Sequence, residues 1–450
     1  KLWPNIIAMT KIPAIFLYAL LCMGFLSLGA APVLASRLPA NQQTGFTDHS
    51  DKALGICQSL LDQPDMNEAD LARSIGADIK QKREQHRGVL YLRQLDFSLP
   101  GDHLLRLDIA TTNIRGLISF RSQYYLYDRP QSFVQFDDKC RQLGHRHITY
   151  NPDGRAERLD IHPTGEVFLF NPPIPKANPT GESFIRVAHI DSGVNYTNPG
   201  LASFLAYGPD STLIGYDFWD DDPFPFDADT SASPFFPRQH GSFVLDILAG
   251  TGAPVAVIPY RYPRPDMTRF GEVVRVAAEN GARIVMIPMG STDKQDWASF
   301  RQAALDHAEL LFVFSAGNNG VSLDDTPIYP AAFTAPHFVT ITSVLSNGEL
   351  SEGSNSGGMV DFGVEGDNLP LTYISSPRPT VSGTSFALPR LVGLFACLMA
   401  EDRAANPAQI IERAKYLANP SSAPDQYGYF IPGNRIAEAC RQFSRTAAPE

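Results

Sequence analysis

Three residues far apart in the chain could work together as nucleophile, base and orienter. Ser385 lies in Ser382-Gly383-Thr384-Ser385-Phe386-Ala387, at the head of an apolar run from Phe386 to Met399 broken mainly by Pro389-Arg390. A small-residue turn that opens straight into a buried helix holds a hydroxyl rigid and exposed. The helix N-terminus adds unpaired N–H groups and partial positive charge beside it. A serine nucleophile needs a base. His240, in His240-Gly241-Ser242-Phe243-Val244, also opens an apolar helix, and Asp191 ends a strand-like run before Ser192-Gly193. The set predicts hydrolysis through an activated serine.

The elements around these residues alternate. Strands are predicted over Phe184–Ile190, Pro254–Tyr260, Ala282–Met289, Glu309–Ser315 and Phe338–Val344. Helices are predicted over Gly241–Ala249, Thr268–Asn280, Trp297–His307 and Ser385–Ala400. Apolar strands interleaved with helices imply a parallel sheet covered on both faces. Reactive groups in such sheets collect at the carboxyl ends of strands, where Asp191 and Asn318 both fall.

Residues 36–180 have another texture. Asn67 to Arg87 reads as a polar helix, acidic early and basic late. Strand-like runs follow at Val89–Leu95, Leu104–Ala110 and Ile118–Tyr127, then a helix around Gln131–Leu143. Asn151-Pro152-Asp153-Gly154 and His162-Pro163-Thr164-Gly165 are turns between His147–Tyr150, Arg155–Ile161 and Glu166–Phe170, which gives an antiparallel meander. The Pro-rich stretch from Asn171 to Gly181 is a linker.

The chain has 450 residues, beyond what one core usually organises. A net charge of -11 leaves no basic footprint for nucleic acid. Lys11 and the apolar stretch Ile12–Leu28, ending in Val33-Leu34-Ala35, read as a signal peptide over residues 1–35. This predicts export to the periplasm or beyond, with no stable membrane span after cleavage. Cys57, Cys140, Cys397 and Cys440 then allow three pairings. Cys57–Cys140 and Cys397–Cys440 are favoured, since each keeps within one proposed domain.

The order Asp191, His240, Ser385 differs from the His-Asp-Ser of chymotrypsin-like enzymes and the Ser-Asp-His of α/β-hydrolases. Asp191-Ser192-Gly193-Val194 with Asn198-Pro199-Gly200-Leu201, Gly215-Tyr216-Asp217-Phe218, His240-Gly241-Ser242, Ser315-Ala316-Gly317-Asn318-Asn319-Gly320 and Gly383-Thr384-Ser385-Phe386-Ala387 stand in one order. Over about residues 182–440 the chain resembles the subtilisin-like serine proteases, the subtilases. The resemblance implies a seven-stranded parallel sheet at the centre of a doubly wound α/β domain over 181–450; residues 36–180 before it read as a smaller α+β domain with an antiparallel meander.

It also implies roles. Ser385 would attack the scissile carbonyl, His240 would carry its proton, and Asp191 would orient the imidazole. Asn318 and the Ser385 N–H would bind the oxyanion. Pro288, Met289 and Gly290, with Ala316, Gly317 and Thr384, would hold extended substrate backbone. Protein or peptide substrates follow, and no cofactor is required. Only Thr251-Gly252-Ala253 separates the His240 helix from the next strand, where well-known members insert a calcium-holding loop. A structural calcium is therefore possible but disfavoured, and the acidic run Asp220–Asp222 with Asp227 and Asp229 reads as a solvated loop. No metal ligand is assigned. Residues 36–180 occupy the place of a propeptide, an inhibitor or folding aid, or else of a retained accessory domain. Phe224, Phe226, Phe235 and Phe236 could line the cleft, with packing the blander role.

Taken alone, Ser385 could cap a helix, His240 could be a structural histidine and Asp191 a turn residue. Together with Asn318 they predict an exported serine endopeptidase. The alternatives are a narrow processing protease and, more remotely, a binding protein on a decayed scaffold.

Overall fold

The computed structural model describes residues 45–63, 66–375, 380–441 and 443; the signal-peptide expectation lies outside them. The chain divides into two compact units. One runs to Phe168 and includes Thr230–Phe236; the other holds Leu169–Asp229 and Pro237 onward.

The first unit opens with helices α1 (Gly45–Asp62) and α2 (Glu68–Ile75). Eight strands follow: β1 (Asp78–Arg87), β2 (Leu90–Leu99), β3 (His103–Thr112), β4 (Gly116–Leu126), β5 (Arg129–Phe136), β6 (Gln142–Tyr150), β7 (Ala156–His162) and β8 (Glu166–Leu169). They form one antiparallel meander in sequence order. Its apolar face, with Leu95, Phe97, Leu107, Phe120, Val134 and Phe136, packs on Ala53, Ile56 and Leu60 of α1. The Cys57–Cys140 disulfide ties α1 to the turn after β5.

Two expectations fail here. The helix foreseen over Asn67–Arg87 stops at Gly76, whose φ of 64° ends α2, and Asp78–Arg87 is a strand. Being an edge, β1 keeps most of its charged side chains in solvent and shows no apolar alternation. The helix foreseen over Gln131–Leu143 is instead β5, a turn and the start of β6. Phe133, Val134 and Phe136 are buried in the sheet.

Phe235 and Phe236 belong to this unit too. Phe235 is fully buried beside Phe133 and Tyr125, and Arg146 donates to its carbonyl at 2.9 Å while lying 4.0 Å over the Phe236 ring. Their role is packing.

The second unit begins with β9 (Ile185–Asp191), then β10 (Tyr216–Asp217), α3 (His240–Ala249), β11 (Val255–Arg261), α4 (Phe270–Glu279), β12 (Ile284–Ile287) and α5 (Ala298–Asp306). It continues through β13 (Leu311–Ser315), β14 (Phe338–Val344), β15 (Phe362–Glu365) and the hairpin pair β16 (Leu369–Pro370) and β17 (Thr380–Val381). It closes with α6 (Thr384–Glu401), α7 (Pro407–Leu417), β18 (Asn419–Pro420), β19 (Tyr429–Ile431) and α8 (Gly433–Cys440). The main sheet has the order β10-β11-β9-β12-β13-β14-β15-β19-β18. Its seven strands from β11 to β19 are parallel, as expected, and two-residue strands β10 and β18 add to the edges.

Strands β11 to β14 are buried along their whole length and β9 at all but Arg186, so both sheet faces must be covered. Ala188, Ile190, Val285, Ile287, Phe312 and Phe314 share a core with Phe270 and Val273 of α4 and Phe300 of α5. Residues alternate across a strand, so Asp191 and His189 project to the opposite side, where α3 meets β9. Helix α6 is long and apolar enough to cross a membrane, but it is mostly buried, as the core helix of this unit. Cys397–Cys440 joins α6 to α8.

Candidate active site

Asp191 is the last residue of β9 and is buried. Gly241 lets α3 start directly against that strand end: a Cβ there would stand 2.1 Å from the Gly193 carbonyl oxygen. The close approach brings the His240 Nδ1 to 2.9 Å from both Asp191 oxygens. The imidazole is 34% exposed while the carboxylate is buried, so the ring can reach an incoming molecule and its partner cannot.

Asp191 also takes the Ser192 backbone N–H at 2.6 Å and faces His189 Nε2 at 3.2 Å. Burial pushes its carboxyl up, but the charge of His240 and the bonds from His189 and His240 outweigh that and hold it well below the usual range. Burial likewise pulls His240 down. The Asp191 carboxylate, helped by Asp227 and Asp229, reverses this and leaves the imidazole more basic than usual.

Ser385 is the second residue of α6 and is buried. Its hydroxyl donates to the Pro288 carbonyl at 3.1 Å, not to His240. Phe386, the next residue, puts its ring 5.6 Å from the His240 imidazole. The two side chains are thus brought to one neighbourhood without a direct bond.

Asn318 follows β13 on the exposed rim. Its Oδ1 accepts from the Thr384 N–H at 2.9 Å and hydroxyl at 3.2 Å, which leaves its NH2 as the donor side. Asn355, fully buried, fixes this loop: it donates to the Ala316 carbonyl and accepts from the N–H groups of Asn319 and Val321. The Gly317 N–H donates to the Thr384 hydroxyl at 3.3 Å.

Of the residues expected to hold substrate, Pro288 and Ala316 are buried, Met289 is half-buried and Gly290 is exposed. A Cβ on Gly290 would lie 2.7 Å from the Tyr329 carbonyl oxygen. Asn318, Gly317 and Thr384 are joined to one another, Ser385 to Pro288, and His240 to Asp191.

In the acidic run Asp220 and Asp221 are exposed, as expected of a solvated loop, and Asp227 alone is buried. Arg261 bridges Asp217 and Asp220, Arg269 holds Asp221, and Asn171 donates to Asp222. Arginines hold three of these carboxylates, which does not suit a calcium ion. Among the described residues no group of three or more His, Cys, Asp or Glu could hold a metal.

Asp227 lies at the centre instead. It is fully buried, accepting from the Ser192 hydroxyl at 2.7 Å and from the Ser242 N–H and hydroxyl at 2.6 Å each. Burial first, then the charge of Asp191, raise it to about 7 despite those donors. An aspartate set in Phe224-Pro225-Phe226-Asp227-Ala228, an apolar run, was the available clue.

The subtilase-family profile matches residues 183–429, more than half the chain. The chain belongs to the subtilase family. This subtilase is therefore a serine-type endopeptidase by descent. It is 26% identical to thermitase of Thermoactinomyces vulgaris over 238 residues, 49% of this chain and 77% of that protein. It is equally 26% identical to a thermophilic serine proteinase of Bacillus sp. (strain AK1), over 55% of this chain and 59% of that protein. A crystal structure of a cold-adapted subtilisin-like serine proteinase superposes on 58% of the subtilase with a TM-score of 0.46 and 21% identity, covering 94% of its own chain.

Proposed function

We propose that this subtilase is an exported endopeptidase in which Ser385 is the nucleophile, His240 the general base and then acid, and Asp191 the orienting carboxylate. The observation that supports it is the bond from His240 Nδ1 to buried Asp191, which fixes the tautomer and leaves Nε2 to take a proton. For this chemistry the Ser385 hydroxyl must leave Pro288 and turn to His240. Catalytic hydrogen bonds commonly tighten only when substrate is bound.

Substrate backbone running past Pro288–Gly290 would compete for the Pro288 carbonyl and release the hydroxyl. The alkoxide attacks, the Asn318 amide and Ser385 N–H stabilise the oxyanion, and His240 returns the proton to the leaving amine. Water then repeats the sequence on the acyl-enzyme. The N-terminal unit, residues 36–180 by the sequence boundary, is proposed as a folding aid or inhibitor of this site.

Labelling with a fluorophosphonate and mapping the modified peptide tests the assignment. Label on Ser385 in the wild type, none in Ser385→Ala, and loss of peptide cleavage by at least ~10³-fold are expected. A wild-type chain that neither labels nor cleaves would favour a decayed scaffold. Peptide-library profiling then separates a general degrader from a narrow processing enzyme.

A further inference from the structure

Behind the Asp191–His240 pair lies a second buried carboxylate that the triad chemistry leaves without a task. Ser192 joins the two. Its Oγ accepts the Gly241 N–H at 3.0 Å and lies 2.7 Å from Asp227 Oδ1 and 3.2 Å from Asp191 Oδ1. A hydroxyl has one proton, so it can serve only one of these carboxylates at a time. The other Asp227 oxygen is committed to Ser242, whose hydroxyl also accepts the Asn195 N–H at 2.8 Å.

We propose that Asp227 is a positioning residue for the Asp191–His240 pair, its charge setting, through Ser192, how strongly Asp191 holds the protonated imidazole. This rests on the triad proposed above. Asp191 on β9 and His240 at the start of α3 interact with Asp227 by charge; His189 of β9 bonds Asp191, and Asp229 of the same loop and Tyr262 after β11 complete the titratable groups of the cluster. Arg261 of β11 donates to the neighbouring Ala228 carbonyl and is paired with Asp217.

Two hydrogen-bond arrangements follow, and only O–H···O bonds and one proton differ between them. With Asp227 ionised, the Ser192 proton goes to Asp227. Asp191 then keeps fewer donors and a second negative charge stands nearby, both of which favour protonated His240. With Asp227 protonated on Oδ1, its O–H donates to Ser192, which turns its own proton to Asp191. Asp191 is then better satisfied and one charge is gone, so the imidazole loses its proton more readily. A group titrating near neutrality places the change within the working range.

Asp227→Asn tests this, because an amide locks the second arrangement: its NH2 donates to Ser192 and its oxygen accepts from Ser242. In the full chain, the acid limb of kcat/KM against pH should move roughly 0.5–1 unit lower. The His240 ring, followed by NMR in a Ser385→Ala background that needs no turnover, should move by the same amount. A folded variant in which neither moves overturns the proposal. If Asp227→Asn does not fold, the Ser385→Ala chain alone decides. Its His240 resonance should show a second inflection from Asp227, weakened in Ser192→Ala; a single inflection overturns the proposal. Failure of the proposed function is distinct, since it would show as an unlabelled Ser385 whatever His240 does.

Discussion

Asp191 accepts from two imidazoles and a backbone N–H, and these donors make it hard to protonate although it is buried. Its influence should appear at His240. Because the imidazole is held above its ordinary value of 6.5, the neutral base predominates only above that raised value. The acid limb of kcat/KM should therefore lie above pH 6.5. Asp191→Asn should move it down and lower kcat by about 10³–10⁴-fold, by favouring the wrong tautomer; pH–rate profiles of both proteins check this.

Stability runs with the same signs. The His240 contribution is complete below pH 6.5 and is lost as pH rises through the raised value. Asp227 also binds its proton more tightly folded than unfolded, so folding weakens as pH climbs from the ordinary carboxylate range to about 7. Asp227→Asn should flatten that part of a denaturation-against-pH curve.

At the scale of elements, buried amides and carboxylates pin loops of the second unit in place. Asn355 serves three backbone groups of the Asn318 loop. Asp246, buried on α3, takes the N–H groups of Thr372, Tyr373 and Ile374. Removing Asn355 leaves those groups unpaired, at about 1–3 kcal/mol each if they stay dry. Asn355→Ala should lower Tm by several degrees and cut kcat more than it raises KM, since Asn318 would lose its aim. Thermal melts and steady-state kinetics measure both.

The elements of the second unit were legible because each has a strong local pattern: strands rich in apolar residues, and helices opening at His240 and Thr384. The first unit misled where local pattern and tertiary role part. Residues 78–87 have a composition that suits a helix, but they form a charged edge strand stopped from continuing α2 by Gly76. Asp227 was hidden for a different reason. In sequence it is one of several acids in a loop, and only burial beside Ser192 and Ser242 separates it from Asp220–Asp222.

For the whole molecule, chain order and spatial grouping disagree at one place. Thr230–Phe236 falls in sequence within the subtilase region, yet it is grouped with the first unit, where Phe235 fills space between Phe133 and Tyr125. A fragment covering 36–180 therefore lacks part of its own packing. It should be less stable than the same unit in the full chain, by the order of 3–5 kcal/mol for an absent buried Phe. Proteolysis or hydrogen exchange at β5, compared between fragment and full chain, would read this out. A ribosome delivers the eight strands of the meander long before it delivers that wedge. During synthesis the early unit must wait, incompletely sealed, until some sixty residues beyond β8 have emerged.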